Sequence, residues 1–331
     1  MKSNRWLLAI FAAVATSFLT GCVPGAIDSS GQWGYLVDNN NGYELVVYQI
    51  NPATGYPTVV QKYPGGGAVQ PYTGASDQVV AVDPAGRFLY VYFTNNGASE
   101  TIEQYSINQT THALTLLSPS IKWTGTQPSV SSMTVDALGR FLFVSDSNSG
   151  VYSYSINPST GLLTENGTTS FPTGGTGSSS AVADPTGRFL YSLLPSNAGV
   201  VTMAIQGNGS LAQVGSPLVI AGATGLGWIS VDRTGAYLAI MGNNTIYTAS
   251  VNRQTGALSN GGTVTGITSP TMPVFDPTNQ FLYVGTNSGS QIETLTFNAA
   301  TGALTPGPSV AANTNSSSFG DSQLLISGIL Q

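Results

Sequence analysis

The stretch Asp83-Pro-Ala-Gly-Arg-Phe-Leu-Tyr-Val91 decides the fold, because the chain repeats it. Two close copies are Asp136-Ala-Leu-Gly-Arg-Phe-Leu-Phe-Val144 and Asp184-Pro-Thr-Gly-Arg-Phe-Leu-Tyr-Ser192, and weaker copies start at Asp28, Asp232 and Asp276. The six aspartates recur about every 50 residues, a spacing typical of architectures in which each repeat is one small sheet.

A second motif, led by asparagine, runs in step with the first. Its copies are Asn51-Pro-Ala-Thr-Gly55, Asn108-Gln-Thr-Thr-His112, Asn157-Pro-Ser-Thr-Gly161, Asn252-Arg-Gln-Thr-Gly256, Asn298-Ala-Ala-Thr-Gly302 and the shortened Gly207-Asn-Gly-Ser210. Both motifs predict tight turns, because Asp or Asn in first position bonds the backbone two residues further on, Pro presets φ, and Gly adopts the left-handed conformation. His112 stands where other copies have Gly, so we interpret it as a turn residue.

The segments between the turns are short and rich in Val, Ile, Tyr, Phe and Thr, as β-strands are. Each repeat therefore predicts four antiparallel strands. We predict an all-β fold, a closed β-propeller of four-stranded antiparallel blades, six by repeat count with seven as the alternative, in one domain of residues 28–331. A last strand within residues 323–330 is expected to join the strands of residues 33–62 and close the ring.

Charge is scarce in this chain of 331 residues. Only 7% of the residues are charged and the net charge is −6, whereas 41% are hydrophobic, which is enough apolar area to fold. After residue 21 no two basic residues are adjacent. Nucleic-acid binding needs clustered basic residues, so we exclude it.

The N-terminal segment has the layout of an export signal, with two basic residues before an apolar stretch too short to span a bilayer. Leu19-Thr-Gly-Cys22 resembles the lipobox of bacterial lipoproteins, in which the cysteine is acylated. We expect a signal peptide over residues 1–21 and a lipidated linker over residues 22–27, anchored to the membrane through Cys22. Val23 after the cysteine favours the outer membrane of the cell envelope. An ordinary signal peptide is the alternative.

Few residues remain for chemistry once the repeat positions are set aside. Arg87, Arg140 and Arg188 occupy one repeat position, so we interpret them as structural partners of nearby carboxylates. His112 is the only histidine and Cys22 the only cysteine, which leaves no Ser-His-Asp or Cys-His arrangement and no ordinary zinc site. We predict no metal and no cofactor, and a general base would be a carboxylate, a lysine or a tyrosine.

Propeller ligand faces are built from the loops that join the second strand to the third and the fourth strand to the next blade. Here those loops combine amide and aromatic side chains, which suit a neutral carbohydrate or a protein surface. The candidates are Asn39, Asn40, Asn95, Asn96, Trp123, Asp146, Asn148, Trp228, Asn243 and Asn287. The alternative is structural, because tight hairpins prefer Asn-Gly and the aromatic rings pack between blades. Asp38 and Asp146 also offer calcium ligands, although neither loop has the EF-hand spacing.

The motif of residues 83–91, followed by one such as Tyr154-Ser-Ile-Asn-Pro-Ser-Thr-Gly-Leu-Leu-Thr164, resembles the lactonase-type propeller family. This family includes a 6-phosphogluconolactonase, and the wider group consists of Tyr-Val-Thr-Asn repeat propellers. The resemblance covers residues 28–331 and implies a propeller, usually of seven blades. It also implies a site with a histidine, arginines and a glutamate around the central channel. Because the only histidine lies in a turn, no catalytic residue is carried over.

These observations leave three hypotheses about function. The first is a membrane-anchored, non-catalytic module that binds neutral carbohydrate or protein. The alternative is a lactonase-type hydrolase that opens a non-phosphorylated sugar lactone, since the chain has few basic residues to hold a phosphate. The third is a surface spacer without a ligand.

Overall fold

The structure is a computed structural model. It describes residues 32–38, 44–50, 57–64, 80–95, 99–122, 130–167, 171, 178–194, 198–275, 279–286 and 291–311. These residues form strands and turns and contain no helix, so they include no helix long and apolar enough to cross a membrane. The strands lie in six antiparallel sheets, which confirms the predicted all-β propeller of repeated blades.

Blade 1 consists of β1 (Gln32–Asp38), β2 (Glu44–Ile50) and β3 (Pro57–Pro64), and blade 2 of β4 (Val80–Val82), β5 (Phe88–Asn95), β6 (Ser99–Ile107) and β7 (Leu114–Lys122). Blade 3 contains β8 (Val130–Val135), β9 (Phe141–Asp146), β10 (Gly150–Ile156) and β11 (Leu163–Glu165). Blade 4 contains β12 (Ala181–Ala183), β13 (Phe189–Leu194), β14 (Gly199–Ile205) and β15 (Leu211–Val219). Blade 5 contains β16 (Trp228–Val231), β17 (Tyr237–Gly242), β18 (Thr245–Val251) and β19 (Leu258–Thr265), and blade 6 contains β20 (Pro270–Phe275), β21 (Phe281–Thr286), β22 (Gln291–Asn298) and β23 (Ala303–Ala311).

Burial falls from the first strand of a blade to the fourth. Every residue of β8 and β16 is buried, whereas most residues of β19 are exposed. The first strands of blades 2 to 6 contact one another in chain order, and hydrophobic clusters fill the space between neighbouring sheets. The sheets therefore pack face to face around an axis, with their first strands innermost.

The aspartate turn joins the first strand of a blade to the second. In blade 3, Oδ1 of Asp136 accepts hydrogen bonds from the backbone N–H of Arg140 at 2.5 Å and of Phe141 at 2.9 Å. The expected bond to the residue two positions further on occurs at Asp184 and Asp232, each followed by a threonine at that position. The aspartate thus closes the turn mainly through the fourth and fifth residues after it.

Blade 1 has three described strands, and they correspond to the second, third and fourth strands of the other blades. β1 follows the copy of the aspartate motif that starts at Asp28, just as β5 follows the motif at Asp83. Among the described residues, no strand occupies the position of a first strand in blade 1. Residues 323–330, the predicted closing strand, lie outside the described residues.

Candidate functional site

The strand order separates the two ends of the propeller. The aspartate and asparagine turns lie at one end of the sheets, which we call the turn face. The hairpins between second and third strands, and the connections from each fourth strand to the next blade, lie at the opposite end, which we call the loop face. Of the sequence-predicted ligand residues, Asn148 and Asn243 lie in hairpins at the loop face.

Two of the predicted ligand residues are exposed asparagines on the loop face. Asn148 lies in the β9–β10 hairpin and Asn243 in the β17–β18 hairpin, and both side chains are exposed. Their positions at hairpin tips follow from the preference of tight turns for asparagine. They lie on different blades, so the structure does not bring them into one site.

Asp146 ends β9 and is only 1% exposed. Its Oδ1 accepts hydrogen bonds from the backbone N–H of Asn148 at 2.7 Å and of Ser149 at 2.8 Å, and its carbonyl oxygen accepts one from the N–H of Ser178. Asp146 therefore organises its hairpin and ties it to the chain entering blade 4. Oδ1 is thus bonded to the backbone of its own hairpin, and the ligand-binding role of Asp146 stays a prediction.

Trp228 is 7% exposed and packs with Ala239 and Met241 in the hydrophobic cluster between blades 5 and 6. The sequence analysis placed it in a loop, but it is the first residue of β16, where alternate side chains enter the blade interface. The expectation of an exposed stacking ring is therefore wrong for Trp228.

The remaining predicted residues do not contribute described side chains. Asn39, Asn40, Asn96, Trp123 and Asn287 lie outside the described residues, as do Cys22 and the predicted signal and linker. Asn95 ends β5 and is described in its backbone alone. The ligand-binding role of these side chains and the lipid anchor stay predictions.

A cleft of about 390 Å³ opens on the loop face between blades 5 and 6. We call it the loop-face cleft. Its lining includes Gly225, Met241, Asn243, Asn244, Ser269 and Pro270. The hairpin β17–β18 forms one wall, and the connection from β19 to β20 forms the other. Of these residues the sequence analysis singled out Asn243; the others carry no signal beyond the small and turn-forming residues found in every loop of the chain.

Local hydrogen bonds hold both walls of the loop-face cleft. The backbone N–H of Asn243 donates to the carbonyl of Thr224 at 2.9 Å, and the backbone N–H of Ser269 donates to Oδ1 of Asn244 at 2.9 Å. Asn244 and Ser269 have left-handed backbones, with φ of 54° and 47°. Asparagine adopts this conformation readily in tight hairpins, whereas it costs serine about 1–2 kcal/mol, so the bond from Asn244 helps to hold Ser269 in a strained conformation.

The lining of the loop-face cleft is electrically neutral. It combines amides, a hydroxyl and backbone groups with the apolar Met241 and Pro270, and it contains no acid or base. In the described part of the chain, no cluster of three or more His, Cys, Asp or Glu side chains is placed to hold a metal ion. The arrangement suits hydrogen bonding to an uncharged, polyhydroxylated ligand.

The repeat arginines lie at the turn face, and each bonds a group in the next blade. Nε of Arg140 is 2.9 Å from Oδ2 of Asp136, and its Nη2 donates to the carbonyl of Gly187 in blade 4 at 2.6 Å. Arg87 pairs with Asp83 in the same way, at 3.1 Å. The predicted structural pairing is confirmed for these two arginines.

Arg188 departs from this pattern. Its Nε donates to the hydroxyl of Thr186 at 3.0 Å, and its Nη2 bonds the carbonyl of Arg253 in blade 5. The hydroxyl of Thr186 itself bonds Oδ2 of Asp184, so it replaces the direct ion pair. His112 has φ of 56° in the asparagine turn of blade 2, which confirms it as a turn residue in the position of a glycine.

A buried carboxylate lies between blades 1 and 2, where the sequence analysis assigned nothing. Glu103 of β6 is 8% exposed, and its Oε2 accepts a hydrogen bond from the hydroxyl of Tyr105 at 2.5 Å. Burial, followed by this contact, raises the pKa of Tyr105 well above its ordinary value. Glu103 and Tyr105 lie away from the loop-face cleft, so the described structure does not join a carboxylate to the amides there.

Fold and site together define a β-propeller with a neutral, amide-lined cleft on its loop face. The chain belongs to the family described as "Lactonase, 7-bladed beta-propeller", whose sequence profile matches residues 25–177, 88–227 and 235–319. The family description names seven blades, and the described residues of this chain form six sheets. No curated protein matches the chain by sequence.

Several solved structures have a similar fold. A putative 6-phosphogluconolactonase from Bacteroides fragilis is 19% identical with a TM-score of 0.67, over 86% of this chain and 81% of that one. A putative 6-phosphogluconolactonase from Bacteroides uniformis is 16% identical with a TM-score of 0.70, over 87% and 84%. A periplasmic gluconolactonase from Pseudomonas aeruginosa is 18% identical with a TM-score of 0.66, over 87% and 84%. At these identities the likeness establishes the fold alone.

Proposed function

We propose that this protein is a lactone hydrolase that opens a non-phosphorylated sugar lactone. The observation that carries the proposal is the match to the lactonase family over most of the chain. Hydrolysis adds water to the ring carbonyl carbon and breaks the bond from that carbon to the ring oxygen, which gives the open hydroxy acid. The sequence analysis ranked this function second, behind a non-catalytic binding module, and the family match reverses that order.

We infer a substrate without a phosphate because the three repeat arginines already bond protein groups. Arg87, Arg140 and Arg188 bond backbone carbonyls of the next blade at the turn face. The loop-face cleft has no charged lining residue. A phosphate is held by charge-assisted bonds from Arg or Lys or by a nest of backbone N–H groups, so a neutral ring suits this face better.

The test is a comparison of two lactones that differ only in the phosphate. We expect the purified protein to accelerate the opening of D-glucono-1,5-lactone above its spontaneous rate, with kcat/KM at least about tenfold higher than for the 6-phosphorylated lactone. A tenfold ratio corresponds to about 1.4 kcal/mol of transition-state discrimination. Acid release measured at constant pH follows both reactions, and heat-unfolded protein is the control.

A preference for the phosphorylated lactone would overturn the assignment of substrate. No acceleration with either lactone, or with other neutral lactones of five- and six-membered rings, would overturn the hydrolase assignment. The second candidate, a non-catalytic module for neutral carbohydrate, is favoured by the lining of the loop-face cleft, which offers hydrogen bonds but no acid or base.

A further inference from the structure

We propose that the loop-face cleft between blades 5 and 6 is the subsite that holds the hydroxyl-bearing ring of a neutral sugar. Asn243 and Ser269 would bond the ring hydroxyls at the rim, above the buried side chains of Met241 and Pro270. The identity of the ring as a lactone rests on the proposed function. The binding of the ring does not, so the two proposals are separable by experiment.

The size and composition of the loop-face cleft match a single ring. Its volume of about 390 Å³ lies at the lower end of the range for small-molecule sites, roughly 300 to 1,000 Å³. Sugars present hydroxyls around the ring edge and C–H groups on the ring face. The loop-face cleft has exposed amides at its rim and the largely buried Met241 and Pro270 in its floor, so its accessible groups mainly complement the hydroxyls.

Two polar groups at the rim are free to bond a ligand. The side chains of Asn243 and Ser269 are exposed, and within the described residues neither the amide of Asn243 nor the hydroxyl of Ser269 makes a hydrogen bond to protein. An amide donates and accepts, and so does a hydroxyl. The pair therefore matches neighbouring sugar hydroxyls, which also act in both ways.

The Asn243 amide occupies space that is open because residue 225 is a glycine. Gly225 has φ of 60°, and a Cβ atom there would lie 2.2 Å from Oδ1 of Asn243. The amide therefore lies directly over a residue that has no side chain. Across the cleft, Asn244 holds the backbone of Ser269 in its left-handed conformation. Strain retained at the rim of a cleft is expected where pre-organisation serves binding.

The experiment titrates the protein with D-glucono-1,5-lactam, a neutral ring that resembles the lactone and resists hydrolysis. We expect saturable binding in the millimolar range, seen as shifts of the Asn243 and Asn244 side-chain amide signals in NMR spectra. Asn243→Ala should weaken binding about fivefold, since one hydrogen bond to the ring is lost. Gln254→Ala removes an exposed amide of the same blade at the opposite, turn face and should change affinity less than twofold.

Ser269→Gly provides a second variant whose fold is not in doubt, because glycine accepts the positive φ of this position. It should keep or raise the melting temperature and still weaken lactam binding severalfold. Weaker lactam binding in both variants supports the subsite. If the protein then shows no lactone turnover, only the proposed hydrolase function is contradicted. Turnover or lactam binding that is insensitive to Asn243→Ala and Ser269→Gly, or no lactam binding at all, overturns the subsite.

Discussion

The glycine that ends an asparagine turn has two separate tasks. Gly256 in blade 5 has φ of 75°, a region that only glycine enters freely, and a Cβ there would lie 2.8 Å from the ring of Phe189 in blade 4. The same contact joins Gly161 to Phe88 and Gly302 to Tyr237. Each of these three glycines thus leaves room for the aromatic residue of the preceding blade.

A pair of glycine variants separates the two tasks. Gly222 has φ of 76° but no atom within 4 Å of the position its Cβ would take. Gly222→Ala should cost about 1 kcal/mol of unfolding free energy, from backbone strain alone. Gly256→Ala should cost about 2–4 kcal/mol, because overlap with Phe189 is added. Urea denaturation followed by near-UV circular dichroism measures both, and equal losses would contradict the packing role of Gly256.

At the scale of elements, the aspartate turn is also a cross-blade joint. Asp136 is fully buried, and Arg140 covers its carboxylate, bonds Gly187 of the next blade and lies 5.1 Å above the ring of Phe141. In blade 5, a different side chain links the turn aspartate to the next blade. The motif of this blade has Ala236 instead of arginine, and Nδ2 of Asn279 from blade 6 donates to Oδ2 of Asp232 at 2.9 Å.

This comparison predicts the effect of removing one arginine. Arg140→Ala should lower the free energy of unfolding by about 1–3 kcal/mol, since buried Asp136 loses its charged partner and no Asn279-like donor replaces it. Arg253→Ala is the matched control, because Arg253 is exposed and its guanidinium makes one long bond, 3.4 Å from the carbonyl of Thr234. We expect less than about 0.5 kcal/mol there. Similar losses from both variants in urea denaturation would count against the joint.

At the scale of the whole molecule, the blade interfaces contain buried tyrosines. Burial is the main cause that raises the pKa above its ordinary value near 10 in each of Tyr90, Tyr105, Tyr154 and Tyr191. Because the folded protein holds these protons where the unfolded chain releases them, their contribution to stability is complete below about pH 10 and is lost as the pH rises further.

We therefore expect the free energy of unfolding to fall above about pH 10, by up to about 1.4 kcal/mol per pH unit for each of these tyrosines. Tyrosinate absorbance should rise together with the loss of circular dichroism, since the phenols ionise on unfolding. Tyr191→Phe should reduce the slope by the share of one tyrosine. A gradual tyrosinate rise that precedes unfolding would show that these phenols are not protected by the blade interfaces.

The scarcity of charge explains why function was harder to predict than fold. The sequence contains one histidine and one cysteine, and its repeat positions account for most arginines and aspartates. Asn148 and Asn243 look alike in sequence because both lie in the turn of a hairpin. What distinguishes them is the neighbouring chain, which places Ser269 and Gly225 beside Asn243 and not beside Asn148.

The sequence alone determined the strands, the turns and the repeat, because these depend on residues within a few positions of one another, such as an aspartate and the backbone N–H groups that follow it. Only the tertiary structure decided that Trp228 is in the core, that Asp146 bonds its own hairpin, and that Asn243 and Ser269 line one cleft. Those outcomes depend on how separate sheets pack, and no local pattern along the chain encodes which loop lies next to which.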